Sequence, residues 1–358
     1  MEKKSYLVLE NGQVFEGKSF GAEGDVIGEI VFTTSMTGYV EALTDPSFFG
    51  QILVQTFPLI GNYGFNFDDF ESKAPHLKAY IVREWCQEPS NFRSEGNLDT
   101  FLKQEGIVGL YGIDTRQLTK IIREYGVMNA KIVSSRKNLA AILAELKNYS
   151  IQDAVKNTSS KEITYFNSEN GTKRVVLLDL GAKESIRKEL IKRGCEVVVV
   201  PSHTTSEEIL ALNPNGIMLS NGPGDPSENT EVITEIAKLL EANIPTFGIC
   251  LGHQLVALSQ GAKTIKLKYG HRGENQPVKD TITGSVYISS QNHGYAVDTS
   301  TLPKYAKERF INANDNTCEG IDYQGMPVFT VQFHPEASGG PRDTMFLFDR
   351  FITLMGGN

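Results

Sequence analysis

The residues after about 173 alternate between continuous apolar runs and helical patterns, and this alternation constrains the fold most strongly. Apolar runs predict strands at 174–180, 196–200, 216–219 and 246–249, while helical patterns occupy 185–193 and 231–241. Strands without a polar face must be buried on both sides, and the helices between them supply the cover. Residues 174–358 are therefore predicted to form a doubly wound α/β domain with a mostly parallel sheet.

The residues before this domain show a different pattern, in which short predicted strands come first and two predicted helices follow. Short runs at 6–10, 13–15, 29–34 and 51–56 predict strands, and helical spacing predicts helices at 115–125 and 138–149. Asn11 and Gly12, between the first two runs, favour a type I′ hairpin turn with positive φ at both residues. Residues 1–155 are predicted to be an α+β N-terminal domain, and the polar stretch 156–173 is predicted to be a linker.

Composition excludes several classes of function. The 358 residues carry a formal net charge of −8, which argues against a general nucleic-acid binder. The four cysteines include no C-x-x-C pair, so a zinc ribbon or a thioredoxin-type site is not predicted. Such sparse use of cysteine fits a reducing cytosol. Because there is neither a long apolar run nor a secretion signal, we expect a cytoplasmic protein without a membrane partner.

One motif is rejected. Residues 12–19 satisfy the phosphate-loop expression G-x-x-x-x-G-K-[ST]. That motif binds phosphate only where it joins a strand to the N-terminus of a helix. Here it starts in a hairpin turn and continues through strand-forming residues, so nucleotide binding is not predicted.

Cys250 is the first candidate catalytic residue. The segment 248–252, Gly-Ile-Cys-Leu-Gly, follows an apolar strand and precedes a helical pattern. Small residues around the cysteine permit the sharp strand-to-helix turn of a nucleophile elbow, and the positive end of the following helix favours a thiolate. Taken alone, the segment is better explained as a buried cysteine at the end of a strand.

His334 and Glu336 are the second and third candidates. In an extended segment, residues two apart point to the same side, so the histidine and the carboxylate are expected to lie together. The histidine can accept the thiol proton while the acid orients its ring. A structural histidine is the better explanation for either residue alone. With Cys250 on the same parallel-sheet scaffold, a catalytic triad becomes the favoured interpretation.

Two further segments follow predicted strands. The loop 220–226 contains two glycines and two prolines, and its backbone N–H groups could form an oxyanion hole with that of Leu251. The alternative is a tight turn that begins a helix. Residues 291–295 are predicted to be a loop. His76, His203 and His271 have no acid or cysteine at ligand spacing, so no metal site is predicted and each is taken as structural or solvated.

At these motifs the chain resembles the small, glutaminase subunit of carbamoyl-phosphate synthetase. Segments 221–226, 248–254 and 334–336 resemble the class I (triad) glutamine amidotransferase domain. Segments 34–39, 43–47 and 112–116 resemble the N-terminal domain of that subunit. The resemblance runs essentially from end to end.

The resemblance implies a role for each matching residue. Cys250 would be the nucleophile, His334 its base and then an acid, and Glu336 the residue that orients the histidine. The residues implied for glutamine binding are Ser47, Gly222, Gly224, Leu251, Gln254, Asn292, Gly294 and Tyr295, with Gly222 and Leu251 forming the oxyanion hole. Ser47 would reach the site from the N-terminal domain.

The resemblance also implies a partner. Ammonia released from L-glutamine would pass to a large ATP-grasp subunit, in a heterodimer or a higher assembly, which makes carbamoyl phosphate from ammonia, bicarbonate and ATP. ATP and Mg²⁺ would bind that partner, and this chain would hold no cofactor. The alternatives are an amidotransferase subunit of anthranilate or GMP synthesis, a non-catalytic regulatory subunit, and a stand-alone γ-glutamyl hydrolase. The sequence leaves use in arginine or pyrimidine synthesis open.

Overall fold

The computed structural model describes residues 3–167, 171–337 and 339–356. The chain divides into two compact units between Gln152 and Asp153. Among the described residues, every helix is too short or too polar to cross a membrane.

The first unit is built on a closed barrel. Around the barrel the strands follow the order β1-β2-β8-β6-β4-β3-β9, with both antiparallel and parallel neighbours. The strands of this unit are β1 (Lys4–Leu9), β2 (Val14–Gly21), β3 (Val26–Thr33), β4 (Gln51–Gln55), β5 (Leu59–Ile60), β6 (Ala79–Ile81), β7 (Glu84–Trp85), β8 (Val108–Tyr111) and β9 (Met128–Val133). Its helices are α1 (Tyr39–Thr44), α2 (Leu98–Gln104), α3 (Thr115–Tyr125) and α4 (Leu139–Asn148).

The first hairpin confirms the rejection of the phosphate loop and corrects the turn type. Residues 14–19 lie in β2, which pairs with β1, so no helix follows the glycines. Only Gly12 has a positive φ, +87°, whereas a type I′ turn requires it at two residues. The N–H of Leu9 donates to the carbonyl of Gln13, and this longer connection places a single left-handed residue at Gly12.

The second unit contains a ten-stranded sheet in the order β10-β12-β11-β13-β14-β19-β18-β17-β15-β16. Its strands are β10 (Thr164–Phe166), β11 (Lys173–Asp179), β12 (Cys195–Pro201), β13 (Gly216–Leu219), β14 (Thr246–Ile249), β15 (Lys263–Asp280), β16 (Val286–Asp298), β17 (Ala306–Asn312), β18 (Cys318–Tyr323) and β19 (Val328–Val331). Its helices are α5 (Ala154–Thr158), α6 (Glu184–Lys192), α7 (Ser206–Ala211), α8 (Thr230–Glu241), α9 (Leu251–Ser259) and α10 (Phe346–Leu354).

The central strands of this sheet are parallel and covered on both faces, as predicted. Neighbouring strands from β12 to β19 pair in parallel, and antiparallel strands extend the sheet at both sides. Along β11, Val176 and Leu178 pack with residues of α7, α8 and α9, whereas Val175 and Leu177 pack with residues of α6 and α10. This alternation is why a strand buried on both faces is apolar throughout.

The predicted linker, 156–173, contains regular structure where it is described. Helix α5 ends at Thr158, and β10 pairs antiparallel with β12, so its backbone groups join the sheet despite its polar composition. Residues 168–170 of that stretch lie outside the described residues. The boundary between the units falls at 152/153, three residues before the predicted end of the N-terminal domain.

Candidate active site

Cys250 occupies a strained turn between β14 and α9. Its backbone has φ +52° and ψ −101°, a conformation that costs a non-glycine residue about 1–3 kcal/mol. The glycines on either side are required by space: a Cβ on Gly252 would lie 2.4 Å from the carbonyl oxygen of Leu219, and one on Gly248 would lie 3.0 Å from Gly252. The turn therefore has the backbone geometry expected of a nucleophile elbow.

His334 and Glu336 meet as predicted. Nδ1 of His334 lies 2.7 Å from Oε1 of Glu336, and both side chains are buried. His334 forms a β-bridge with Ser290, but Glu336 lies in a turn, so the two residues meet through a bend of the chain instead of along an extended strand. Among the described residues, Nε2 of His334 has no hydrogen-bond partner, so this nitrogen is available to a neighbouring thiol or substrate.

Lys183 is a part of the site that sequence reasoning missed. Its Nζ lies 2.9 Å from Oε1 of Glu336, and the Lys183 side chain is only 7% exposed. Its backbone N–H donates to Oδ1 of Asn221, in the loop 220–226. No local pattern pairs residues 153 positions apart, and the only sequence signal was the position of Lys183 just after a predicted parallel strand.

Lys183 and His334 stabilise Glu336 in its charged form, and Glu336 in turn stabilises the charged form of His334. Burial raises the pKa of Glu336, but Lys183 and His334 outweigh it and hold that pKa below its usual range. Burial lowers the pKa of His334, but Glu336 outweighs it, so the pKa of this imidazole lies above its usual range. Cys250 also raises the pKa of His334. The group therefore favours a carboxylate beside a protonated imidazole, which suits a thiolate partner.

Two glutamine side chains connect Cys250 to the neighbouring strands. Nε2 of Gln332 lies 3.5 Å from Sγ of Cys250. Nε2 of Gln254 donates to Oε1 of Gln332 and to the carbonyl of Tyr295, each at 2.9 Å. Gln332 was not predicted, although it lies two residues before His334, where an extended chain points the same way.

Gly222 and Leu251 are brought together. Leu251 is the first residue of α9, and N–H groups in the first turn of a helix have no partner within the helix. A Cβ on Gly222 would lie 2.7 Å from Cδ2 of Leu251 and 2.2 Å from the carbonyl oxygen of Leu180. Only glycine therefore allows this loop to approach the elbow so closely.

The other residues implied for glutamine binding divide between the two units. Asn292, Gly294 and Tyr295 lie in β16, so the predicted loop 291–295 is part of a strand; Asn292 and Tyr295 pair with β15, and Gly294 falls where the register shifts. Sγ of Cys250 lies 3.7 Å from the Asn292 carbonyl oxygen. Gly224 adopts φ +89° in the loop after β13. Ser47 lies in the first unit, buried in a short 3₁₀ helix, and its part in the site stays a prediction.

His271, which has no acid or cysteine at ligand spacing in the sequence, has two acidic neighbours in the structure. Its Nε2 lies 2.8 Å from Oδ2 of Asp315, and its Nδ1 lies 3.4 Å from Oε1 of Glu319. His293 joins the same cluster, with Nε2 3.6 Å from Oε1 of Glu319. Ligand atoms of His271, His293 and Glu319 lie within 4.8 Å of one another, a set of the kind that holds metal ions. Pairing of β15 with β16 places His271 opposite His293, and Glu319 comes from β18, so the spacing of these residues in the sequence did not reveal them.

Comparison with known proteins identifies the class and then the family. Residues 176–354 match the family model for class-I glutamine amidotransferases, so the second unit is a domain of that class. Residues 7–132 match the model for the carbamoyl-phosphate synthase small chain, CPSase domain. The chain belongs to the carbamoyl-phosphate synthase small-chain family, as its sequence motifs predicted.

Curated relatives match over nearly the whole length. The carbamoyl phosphate synthase small chain of Fusobacterium nucleatum is 53% identical over 354 residues, 98% of each chain. The small chain of Archaeoglobus fulgidus is 52% identical over 355 residues, 98% of this chain and 99% of the relative. The carbamoyl phosphate synthase pyrimidine-specific small chain of Bacillus subtilis is 51% identical over 354 residues, 98% of this chain and 96% of the relative.

Proposed function

We propose that this chain is the glutaminase subunit of a glutamine-hydrolysing carbamoyl-phosphate synthase. The observation that carries the proposal is the cysteine elbow beside the buried His334–Glu336 pair, in a chain that also matches the small-chain CPSase domain. A scaffold or regulatory subunit would have no physical need for a strained cysteine next to an imidazole with a free nitrogen.

In the first half of the reaction, the Cys250 thiolate attacks the carboxamide carbon of glutamine. The tetrahedral intermediate carries its negative charge on oxygen, and the N–H groups of Gly222 and Leu251 stabilise that charge. His334, which holds the proton, donates it to the departing nitrogen. Ammonia leaves and a glutamyl thioester remains on Cys250.

In the second half, water attacks the thioester. His334 accepts a proton from the water, the same N–H groups stabilise the second tetrahedral intermediate, and the C–S bond breaks to release glutamate and regenerate the thiolate. Glu336 keeps the imidazole in the orientation that serves both steps, and Lys183 keeps Glu336 ionised.

The partner is proposed from the family alone. Ammonia passes through a tunnel to a large ATP-grasp subunit in a heterodimer, where bicarbonate and ATP, with Mg²⁺, are used to make carbamoyl phosphate. The first unit serves as the docking surface and contributes Ser47 to the glutamine site. The match over residues 7–132 favours this partner over the synthases of anthranilate or GMP.

The test is Cys250→Ser in the complex that the chain forms with its large partner. Glutamine-dependent carbamoyl-phosphate synthesis should fall to background, because the hydroxyl is a far weaker nucleophile than a thiolate. Ammonia-dependent synthesis should stay within about twofold of the wild type, because it bypasses this chain.

Cys86→Ser is the matched control. Cys86 lies half-buried in the first unit, so its substitution should leave both activities intact. If Cys250→Ser removed both activities from an intact complex, the proposed division of labour would be wrong. Co-purification of a chorismate-using chain would contradict the proposed partner.

A further inference from the structure

Gln332 places a hydrogen-bond donor beside the nucleophile, and the chemistry above makes no use of it. The residue follows β19 directly, two positions before His334, and it is fully buried. Its Nε2 lies 3.5 Å from Sγ of Cys250, within hydrogen-bond distance of a sulfur atom. Buried amide groups almost always have partners, so the surroundings of this amide decide what it can do for the sulfur.

A side-chain amide can turn either its oxygen or its nitrogen toward a neighbour, and here two contacts decide which. The backbone carbonyl of Tyr295 only accepts, so the Gln254 atom that lies 2.9 Å from it is the donor Nε2. The same Nε2 also donates to Oε1 of Gln332, again at 2.9 Å. Because the oxygen of Gln332 is held by this contact, its nitrogen is the atom that faces Cys250.

The backbone holds the amide and the sulfur in place relative to each other. The N–H of Cys250 donates to the carbonyl of Val331 at 2.8 Å. The N–H of Gln332, the next residue, donates to the carbonyl of Glu319 at 2.9 Å. Val331 is also paired with Ile249, the residue before the elbow cysteine. The donor is therefore fixed before any reaction begins, and such a donor needs no rearrangement when charge forms next to it.

The sulfur carries a negative charge at two points of the proposed reaction, before it attacks the carboxamide and when the C–S bond of the thioester breaks. The Asn292 carbonyl oxygen, 3.7 Å from Sγ, can accept from a neutral thiol but has no proton to offer a thiolate. The amide of Gln332 has one, and hydrogen bonds to a charged partner are about twice as strong as those to a neutral partner. Gln332 therefore favours the thiolate over the thiol.

We propose that Gln332 is a further catalytic residue, whose Nε2–H group donates to the sulfur and stabilises the Cys250 thiolate. During attack the negative charge passes from the sulfur to the substrate oxygen, and the hydrogen bond weakens. When the C–S bond breaks, the electron pair returns to the sulfur and the hydrogen bond regains its strength. The inference rests on the proposed function, because it takes Cys250 as the nucleophile.

Alkylation of Cys250 by iodoacetamide tests this proposal, because the thiolate and not the thiol is the reacting form. Mass spectrometry of the Cys250 peptide gives the rate from about pH 5 to about pH 9, in the complex with the large partner and without glutamine. A Cys86→Ser background removes a half-buried thiol that could react as well. The ionisable groups of this site, His334 with Glu336 and Lys183 beyond it, are the same in every variant, so differences between profiles report the substitution.

Two substitutions separate the donor from the shape of the side chain. Gln332→Met has a similar length but no donor, so alkylation on the acid limb of the profile should slow about tenfold, while the plateau at high pH stays within about threefold. Gln332→Glu keeps the shape and can still accept from Gln254, but it turns an oxygen toward the sulfur. Like charges disfavour each other, so its acid limb should be slower still, by about 10²-fold. The glutaminase kcat/KM at neutral pH should fall in the same order.

Gln260→Met is the matched control, because Gln260 lies at the other end of α9, where its amide contacts Ser259 and Tyr305. Its alkylation profile should match that of the wild type. Ammonia-dependent synthesis, unchanged in every variant, shows that the complex is folded. If Gln332→Met does not fold, Gln332→Glu, which has the same shape as the native residue, decides the question.

Three results would overturn the proposal. These are a wild-type acid limb in either variant at residue 332, an equal fall of limb and plateau in Gln332→Met, and faster alkylation in Gln332→Glu than in Gln332→Met. The second would mean that Gln332 controls access to the sulfur and not its charge. Alkylation requires no glutamine hydrolysis, whereas glutamine-dependent synthesis by Cys250→Ser tests the proposed function, so failure of one is distinguishable from failure of the other.

Discussion

Among its described residues, the second unit contains two buried carboxylate–imidazole groups, which differ in how many ring nitrogens are engaged. In the first, Nδ1 of His334 contacts Glu336, while Nε2 has no partner among the described residues. In the second, both nitrogens of His271 and both of His293 face polar side chains or a carbonyl. Both groups therefore have an imidazole buried beside an acid. Only in the His334–Glu336 group does a ring nitrogen without a hydrogen-bond partner among the described residues lie next to a nucleophile, and only this group can transfer protons.

Replacing one histidine in each group tests this distinction most strongly. His334→Asn should lower the glutaminase kcat by about 10²–10⁴-fold, the usual contribution of a general base and acid. His271→Asn should change kcat by less than about threefold, because its two ring nitrogens already face Asp315 and Glu319. Steady-state glutamine hydrolysis by the two variants, with ammonia-dependent synthesis as the folding control, makes the comparison. Equal losses in both would erase the distinction.

The two groups also differ in how much of them the sequence could predict. Cys250 lies in a local glycine motif, and His334 and Glu336 are two residues apart, so their closeness was predictable from short spacing, although a bend and not an extended strand brings the last two together. Glu319 lies on β18 and His271 on β15, which are not neighbours in the sheet, and the pairing of β15 with β16 shifts in register between Lys266 and His271. A one-residue shift moves a side chain to the other face, so such contacts cannot be read from spacing.

The same limit applies to the first unit. Its first four strands, the position of its first hairpin and helices α3 and α4 follow from local patterns, because turn residues and apolar periodicity act over a few positions. Closure of the barrel does not, since β2 pairs with β8, about 90 residues later, and β3 pairs with both β4 and β9. The sheet order depends on long-range packing for which no single segment carries a signal.

Lys183 provides a second, smaller test, because its ammonium group pairs with Glu336 of the catalytic group. Lys183→Met removes a buried charged hydrogen bond from Glu336, so kcat should fall about 10–100-fold, equivalent to about 1.5–3 kcal/mol. Lys183 lowers the pKa of Glu336, so its loss raises that pKa. Glu336 then gains a proton at a higher pH, and the acid limb of the pH–kcat profile should move upward.

Lys192→Met is the matched control for this change. Lys192 also pairs with a glutamate, Glu189, but its side chain is 67% exposed, and surface ion pairs contribute little. Its kcat and pH profile should match the wild type. An unshifted acid limb in Lys183→Met would mean that Lys183 does not keep Glu336 ionised.

The smallest expected effect concerns the backbone, where Cys250 and the buried Cys318 beside Glu319 should respond in opposite ways. Cys250 has φ +52°, whereas Cys318 lies in strand β18 and has no positive φ. At Cys250, glycine should be more stable than alanine by about 1 kcal/mol or more, because it relieves the strain of the elbow. At Cys318, glycine should be less stable than alanine by about 0.5–1 kcal/mol, because it gains only chain entropy in the unfolded state. Urea unfolding of the four variants measures the two differences. Because both positions are buried cysteines, a stability difference between the glycine and alanine variants that has opposite signs at the two positions would isolate the backbone strain at Cys250. If the glycine variant were the less stable one at both positions, the elbow would not be strained.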